Sequence, residues 1–310
     1  MRTLICGSLA FDSIMVFHDH FKHHILPDKI HILNVSFLVP DMRREYGGCA
    51  GNIAYNLKLL GGEPVIMATV GEDFAPYAAR LDSMGLTREC VRAVEDSYTA
   101  QAFITTDLSD NQITAFHPGA MNHSHLNDAS MANDIQLGIV SPDGRDGMLA
   151  HCAQFAAAGI PFIFDPGQGM PLFNGEELLQ MVRQATYVTL NDYEAQLLQT
   201  RTGQTLEQLA REVDALVVTK GADGSDIYVD GKTIAIPTAA VSAVTDPTGC
   251  GDAFRAGLLY GLAHGMDWET TGRLASLMGA IKIESRGGQN HAPSRHEIDT
   301  RFAESFGYRL

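Results

Sequence analysis

The stretch TDPTGCGDAFRAGLLYGL, residues 245–262, is a glycine turn that runs straight into a helix with an apolar face. Gly249 and Gly251 permit a tight turn, and the apolar residues after them recur at helical spacing. The first N–H groups of such a helix have no partner within it, and the helix dipole adds positive potential. The loop Gly249, Cys250 and Gly251 is therefore a ready anion site. A carboxylate in that place repels phosphate, so Asp252 makes sense as the acceptor of a proton from an attacking hydroxyl. An acid at a helix start is also a common N-cap, and G-x-G-D taken alone leaves both readings open.

Outward from this stretch the chain alternates short apolar runs with helix-like segments. The runs are 3–6, 64–70, 136–140, 161–165, 187–190 and 215–219, and helices are expected over 52–60, 74–84, 146–159, 175–185, 192–200 and 205–213. That rhythm predicts an α/β fold whose mostly parallel central sheet is covered on both faces. Two stretches break it. Residues 30–39 (IHILNVSFLV) and 99–117 (TAQAFITTDLSDNQITAFH) alternate β-branched and aromatic residues, and the second turns at 109–111 as a hairpin would. They are expected to form a small β-sheet lid, about residues 12–46 and 99–119, over the strand ends of a single domain spanning 1–310.

Composition narrows the function classes. The 310 residues are 45% apolar, as a packed core requires, and carry 22 Lys and Arg against 37 Asp and Glu, a formal charge of −15. Such a balance excludes a non-specific nucleic-acid binder, and an anionic substrate must be captured by local donors. The five cysteines, Cys6, Cys49, Cys90, Cys152 and Cys250, are scattered and form no C-x-x-C pair, which argues for a reducing cytoplasm. The N-terminal MRTLICGSLAFDS lacks an apolar signal region, and no run is long enough to span a membrane.

Four further segments carry chemistry. YGGCAGNIAYN, 46–56, is another glycine turn opening a helix, and Asn52 in it has the donor and acceptor that paired sugar hydroxyls need. Asp12 follows the first strand, where a doubly wound sheet binds its ligands, although an ordinary loop acid reads the same way. Asn191 and Glu194 follow another strand, where oxygen ligands for Mg²⁺ or a capping box would both fit the spacing. VTKGADG, 218–224, ends a strand in a glycine loop that suits nucleotide phosphates, with Thr219, Gly221 and Gly224 as candidates. Three patterns are set aside. Gly231-Lys232-Thr233 is a hairpin turn and not a phosphate loop, because Asp226 stands where the upstream glycine is required. Gly167-Gln168-Gly169 does not complete a dinucleotide fingerprint, and the histidines at 18–24 read as a solvated loop.

Together these segments resemble the ribokinase (PfkB-type) family of carbohydrate and nucleoside kinases over nearly the whole chain. GGCAGN at 47–52, N-x-x-E at 191–194, DPTGCGD at 246–252 and ESRGGQ at 284–289 are similar to its signatures and stand in its order. The resemblance implies a three-layer ribokinase-like fold and γ-phosphate transfer from ATP. It makes Asp252 the base, places Gly249, Cys250 and Gly251 around the phosphate, and gives Asn191 and Glu194 to Mg²⁺, through water. A K⁺ ion is implied near Asp246 and the 284–290 segment. VSFLV, GNIAYN, FHPGAM and TLNDYE further resemble the adenosine kinase branch of bacteria. That likeness implies transfer to the 5′-hydroxyl of adenosine, with Ser8, Asp12, Gly48 and Asn52 around the ribose and Phe103, Phe116, Met121 and Gln168 around the base. Ribose or another furanoside is the alternative acceptor. Two lids pairing through their aromatic surface, Phe37 included, would give a homodimer.

Overall fold

The computed structural model describes residues 1–25, 35–109 and 111–310. In chain order the first half runs β1 (Arg2–Cys6), β2 (Ala10–Val16), β3 (Asp41–Gly47), α1 (Cys49–Leu59), β4 (Glu63–Val70), α2 (Ala75–Ser83), β5 (Thr87–Ala93), β6 (Ala100–Thr106) and β7 (Gln112–His117). Then come β8 (Ile135–Val140), α3 (Arg145–Ala158), β9 (Phe162–Phe164), α4 (Gly175–Gln184), β10 (Tyr187–Asn191), α5 (Asp192–Thr202) and the single turn α6 (Leu206–Leu209). The chain closes with β11 (Ala215–Thr219), β12 (Ser225–Val229), β13 (Lys232–Ile236), α7 (Cys250–Ala263), α8 (Trp268–Ile283) and α9 (Arg295–Phe306).

The large sheet has the order β13-β12-β11-β10-β9-β8-β1-β4-β5. Its pairs from β5 to β11 are parallel, and β12 and β13 add an antiparallel hairpin across Asp230-Gly231. Parallel strands are covered on both faces, which is why β1 reads as an unbroken apolar run. Leu4 and Cys6 enter one core with Phe155 and Met181 of α3 and α4, whereas Ile5 enters the other with Ile53, Ala253 and Leu274. After β1 the chain builds outward through β4 and β5, then returns to the other side of β1 with β8. The strand order reverses there, so the carboxyl ends of β1 and β8 open a crevice suited to a ligand.

A second sheet, β3-β2-β6-β7, is the lid. Its hairpin β6–β7 follows the sequence expectation, but its other strands do not. Residues 30–34 of the expected strand 30–39 lie outside the described residues, and 35–39 have no regular structure. The strand begins after Pro40, as the polar run DMRREYG, because both faces of β3 meet polar partners: Arg44 reaches Asp73 on one, and Glu45, beside Arg43, meets Asn290 on the other. Its neighbour β2 falls at the start of the expected lid range 12–46, where no strand is marked by the sequence pattern. Phe37 packs on Phe17 and Phe21 of its own chain, with ring centroids 4.8 and 5.1 Å away. The helix expected at 205–213 stops at Leu209, after which Arg211 and Glu212 bond three residues back in tight turns.

Candidate active site

Two helix starts face each other across the crevice. Helix α1 begins at Gly48, whose φ of 86° and close approach to the lid root both demand glycine: a Cβ would lie 2.5 Å from the Ser8 carbonyl oxygen. Ser8 Oγ accepts from the Cys49 amide at 3.1 Å, so Ser8 anchors α1 at the end of β1. Helix α7 begins at Gly249, with φ 78°, and no side chain caps it. Helix geometry then leaves the first-turn N–H groups of Gly251 and Asp252 to whatever lies in front. Asp252 is therefore not the N-cap. Its Oδ2 accepts from Asn52 Nδ2 at 2.8 Å, across the gap between the two helices.

The environment of Asp252 suits a base. Burial pushes its carboxyl up to about 6, although Asn52 and the Arg255 guanidinium pull it down. Asp12, on β2, is likewise pushed up to about 6, by burial first and then by the Asp252 charge. A carboxyl near that range is ionised at neutral pH yet basic enough to take a proton.

Asn52 is committed on both sides. Its Oδ1 accepts from Gln289 Nε2 at 3.1 Å, and Gln289 also donates to Tyr77, whose hydroxyl bonds the Gly47 carbonyl at 2.7 Å. Asn52 thus aims Asp252, and since an amide has two N–H donors this leaves standing the sugar-hydroxyl role read from the sequence. A second group organises α7 from below. Arg255, 6% exposed, grips Asp165 at the end of β9 through two bonds of 2.8 and 2.9 Å, and its third nitrogen reaches the Gly251 carbonyl at 3.2 Å. Glu194 lies 3.9 Å from the same guanidinium. Arg255 and Asp165 were not among the sequence candidates. The available signal was an arginine in the otherwise apolar AFRAGLL, a position that burial forbids unless the charge is paired.

Asn191 and Glu194 form a capping box at the start of α5: Asn191 Oδ1 accepts from the Glu194 amide at 2.7 Å, and Glu194 Oε2 from the Asn191 amide at 2.8 Å. Direct metal ligation by either atom would open that box, and among the described residues no group of three acidic, histidine or cysteine side chains is arranged to hold a metal. Were Mg²⁺ to arrive on nucleotide phosphates, Glu194 would reach it through water and leave the box intact. Thr219 pairs with Asn191 in the β10–β11 register, and Gly221 and Gly224 follow in the left-handed turn beside it. These residues line up at the same edge of the sheet, away from β1.

The lid separates the two aromatic candidates. Phe116 is opposite Ala102, which is opposite Asp12, so these three share one face of the small sheet. Phe103 is one residue out of phase, in the row of Ser13, Arg44 and Ala115, and projects from the other face. Asp12 and Glu45 turn toward α7 and the 287–290 segment, so Phe116 overhangs the crevice and Phe103 does not. Within this chain the two rings are not opposite walls of one pocket. Met121 sits in a short 3₁₀ helix, Gly119–Leu126, packed on the start of α3, and Gln168 is exposed in another, Gly167–Leu172, just beyond Asp165.

A carboxylate aimed at a helix-start anion site can relieve a hydroxyl of its proton while the amides hold a phosphate, which is the work of a small-molecule kinase. The model of the pfkB family carbohydrate kinases matches residues 9–295, and the chain belongs to that family. It is an ATP-dependent phosphotransferase with an alcohol group as acceptor. The nucleoside kinase of Methanocaldococcus jannaschii is 32% identical over 271 residues, covering 86% of this chain and 89% of the relative. That of Methanothermobacter thermautotrophicus is 32% identical over 307 residues, covering 96% and 97%. Among solved structures, the Burkholderia thailandensis nucleoside kinase in complex with inosine has a TM-score of 0.91 and 56% identity, with 99% of each chain covered.

Proposed function

We propose that this kinase transfers the γ-phosphate of ATP to the 5′-hydroxyl of a purine nucleoside, with adenosine giving AMP. The observation that carries the reading is the row Asp12–Ala102–Phe116: one face of the lid offers a carboxylate for ribose hydroxyls and, farther out, a flat ring for a base. A bare sugar has no use for the ring. The likeness to nucleoside kinases at 32% identity and above supports the same choice. Inosine is a second reading, favoured by the 56% identical relative solved with it. In this scheme Asp252 takes the hydroxyl proton, the Gly249–Cys250–Gly251 amides hold the transferred phosphate, and Mg²⁺ enters on ATP near Glu194. Ser8, Gly48, Met121 and Gln168 shape the acceptor side, and Thr219, Gly221 and Gly224 the nucleotide side. The outer lid face, with Met42, Phe103 and Ile113 exposed, is where two copies would pair. The cytoplasm is the proposed compartment, where the free thiols stay reduced.

The test is ATP consumption with adenosine, inosine, ribose and fructose 6-phosphate as acceptors. Adenosine or inosine should exceed ribose in kcat/KM by orders of magnitude. Ribose turned over better than either nucleoside would move the enzyme to the sugar kinases.

A further inference from the structure

The K⁺ ion implied beside Asp246 finds its place already taken. The carbonyl oxygens of Asp246, at the head of the anion loop, and of Ser285, just past α8, converge on one point. Lys282 Nζ sits there, donating to them at 2.7 and 2.9 Å. The side chain is fully buried, with 0% exposure, in the last turn of α8, where the helix dipole favours a cation. Burial draws its pKa down, and the nearby Cys250 and Asp246 oppose that.

The Asp246 carboxylate is not free to hold an ion either. One oxygen accepts from the Thr248 amide and the other from the Gly287 amide, both at 2.9 Å. The amides of Thr245 and Asp246 both donate to the Ile283 carbonyl, at 2.9 and 3.1 Å, and a Cβ on Gly249 would lie 3.2 Å from the Gly288 Cα. The anion loop and the 284–290 segment are therefore stitched together around a single ammonium. Carbonyl dipoles that point at each other in a buried place need a positive partner between them. An ammonium supplies that charge on a tether, and a K⁺ ion drawn to the same oxygens would meet a like charge at contact distance.

We propose that Lys282 is a built-in monovalent cation that orders the anion loop, so that this kinase works without potassium. The inference rests on the kinase fold and not on the identity of the acceptor, and it is tested with whichever acceptor the enzyme turns over. Wild-type rates are compared in potassium chloride and tetramethylammonium chloride at equal ionic strength and fixed Mg²⁺, together with melting temperature. Rates should agree within about twofold and the melting temperature should not respond to K⁺, since an ion that binds the folded state must stabilise it. Several-fold stimulation by K⁺, or a K⁺-dependent rise in melting temperature, would overturn the proposal. Lys282→Ala opens room at the two carbonyls. It should lose turnover by less than the roughly 10²–10³-fold of a lost direct contact to the developing charge, because Lys282 acts through the loop, and regain part of it in K⁺ or NH₄⁺. Full activity of Lys282→Ala in potassium-free buffer, or a loss that neither ion restores, would make Lys282 a packing residue and end the idea. Should that variant not fold, the wild-type comparison decides alone.

Discussion

Asn52 and Asp252 meet at 2.8 Å although they stand 200 positions apart in the chain. The bond ties the helix that leaves the lid root to the helix that carries the anion loop, and it fixes which way the carboxylate faces. Because the Asn52 amide is held from behind by Gln289, it cannot swing away when an acceptor enters. The base is aimed before any substrate arrives, which is where preorganised sites gain their advantage over water.

Asp252→Asn should keep acceptor binding and lose turnover by roughly 10²–10⁴-fold, the range for a missing general base. The same variant should be more heat-stable than the wild type at pH 7.5. A carboxyl raised from 3.8 to about 6 on folding stabilises the native state fully only below the unfolded value, and that contribution is lost as pH rises through 6. The asparagine avoids the loss, so its melting temperature should rise by roughly 2–4 °C per kcal/mol relieved, and the gap should close toward pH 4. Calorimetry across that pH range checks it. Equal melting temperatures at both pH values would mean Asp252 carries no burial penalty.

Removing the arginine under α7 should act in two ways. Arg255→Met leaves Asp165 and Glu194 buried without their counter-charge, a loss of about 3–5 kcal/mol in urea unfolding. It also withdraws a charge that holds the Asp252 pKa down, so the acid limb of the kcat/KM profile should move to higher pH. Arg255→Lys should restore the position of that limb more than it restores stability, since lysine brings the charge but not the two-pronged grip on Asp165. An unmoved limb in Arg255→Met would reduce Arg255 to a structural ion pair.

For Glu194 the capping box makes a clean experiment available. Glutamine at this position can still accept from the Asn191 amide, so Glu194→Gln preserves the helix start while removing the charge. Its melting temperature should stay near that of the wild type, and the Mg²⁺ concentration for half-maximal rate should rise. An unchanged Mg²⁺ titration would leave Glu194 as a cap alone.

The two lid phenylalanines should behave differently. Phe116→Ala should raise the nucleoside KM by roughly five- to 150-fold, the equivalent of about 1–3 kcal/mol of base stacking, and leave the ATP KM nearly unchanged. Phe103→Ala, on the opposite face, should spare nucleoside binding in a single chain and alter sedimentation if the outer lid face joins two copies. Matching KM defects in both variants would contradict the register.

Much of this was legible in the sequence because it is local. The glycine turns at 47–48 and 249–251 declare themselves by residue type, and the alternation of apolar runs with helices yields the parallel sheet. The polar strand β3 escaped because its partners, Asp73 and the 286–290 segment, are distant in the chain, so no alternation of apolar residues marks it. Asn52 reads from the sequence as a partner for sugar hydroxyls alone, since nothing near it in the chain reveals that Asp252 and Gln289 also bond its amide. Lys282, inside AIKIESRGG, carries no mark in the sequence that sets it apart from a surface lysine. Its burial depends on where α8 stops against the anion loop, a fact of tertiary packing. The Phe103 and Phe116 pair shows the limit of a hairpin read without its register: a shift of one residue decides the face.

Strand β7 is exposed along its whole length and, among the described residues, is hydrogen-bonded on one side alone, to β6. Its backbone amides should exchange with deuterium far sooner than those of β1, which lies between two parallel neighbours. The wall that bears Phe116 can fray and re-form while α7 and its loop stay in register. Admission and release of the acceptor would then run on the clock of an edge strand, leaving the phosphate end as still as the core beneath it.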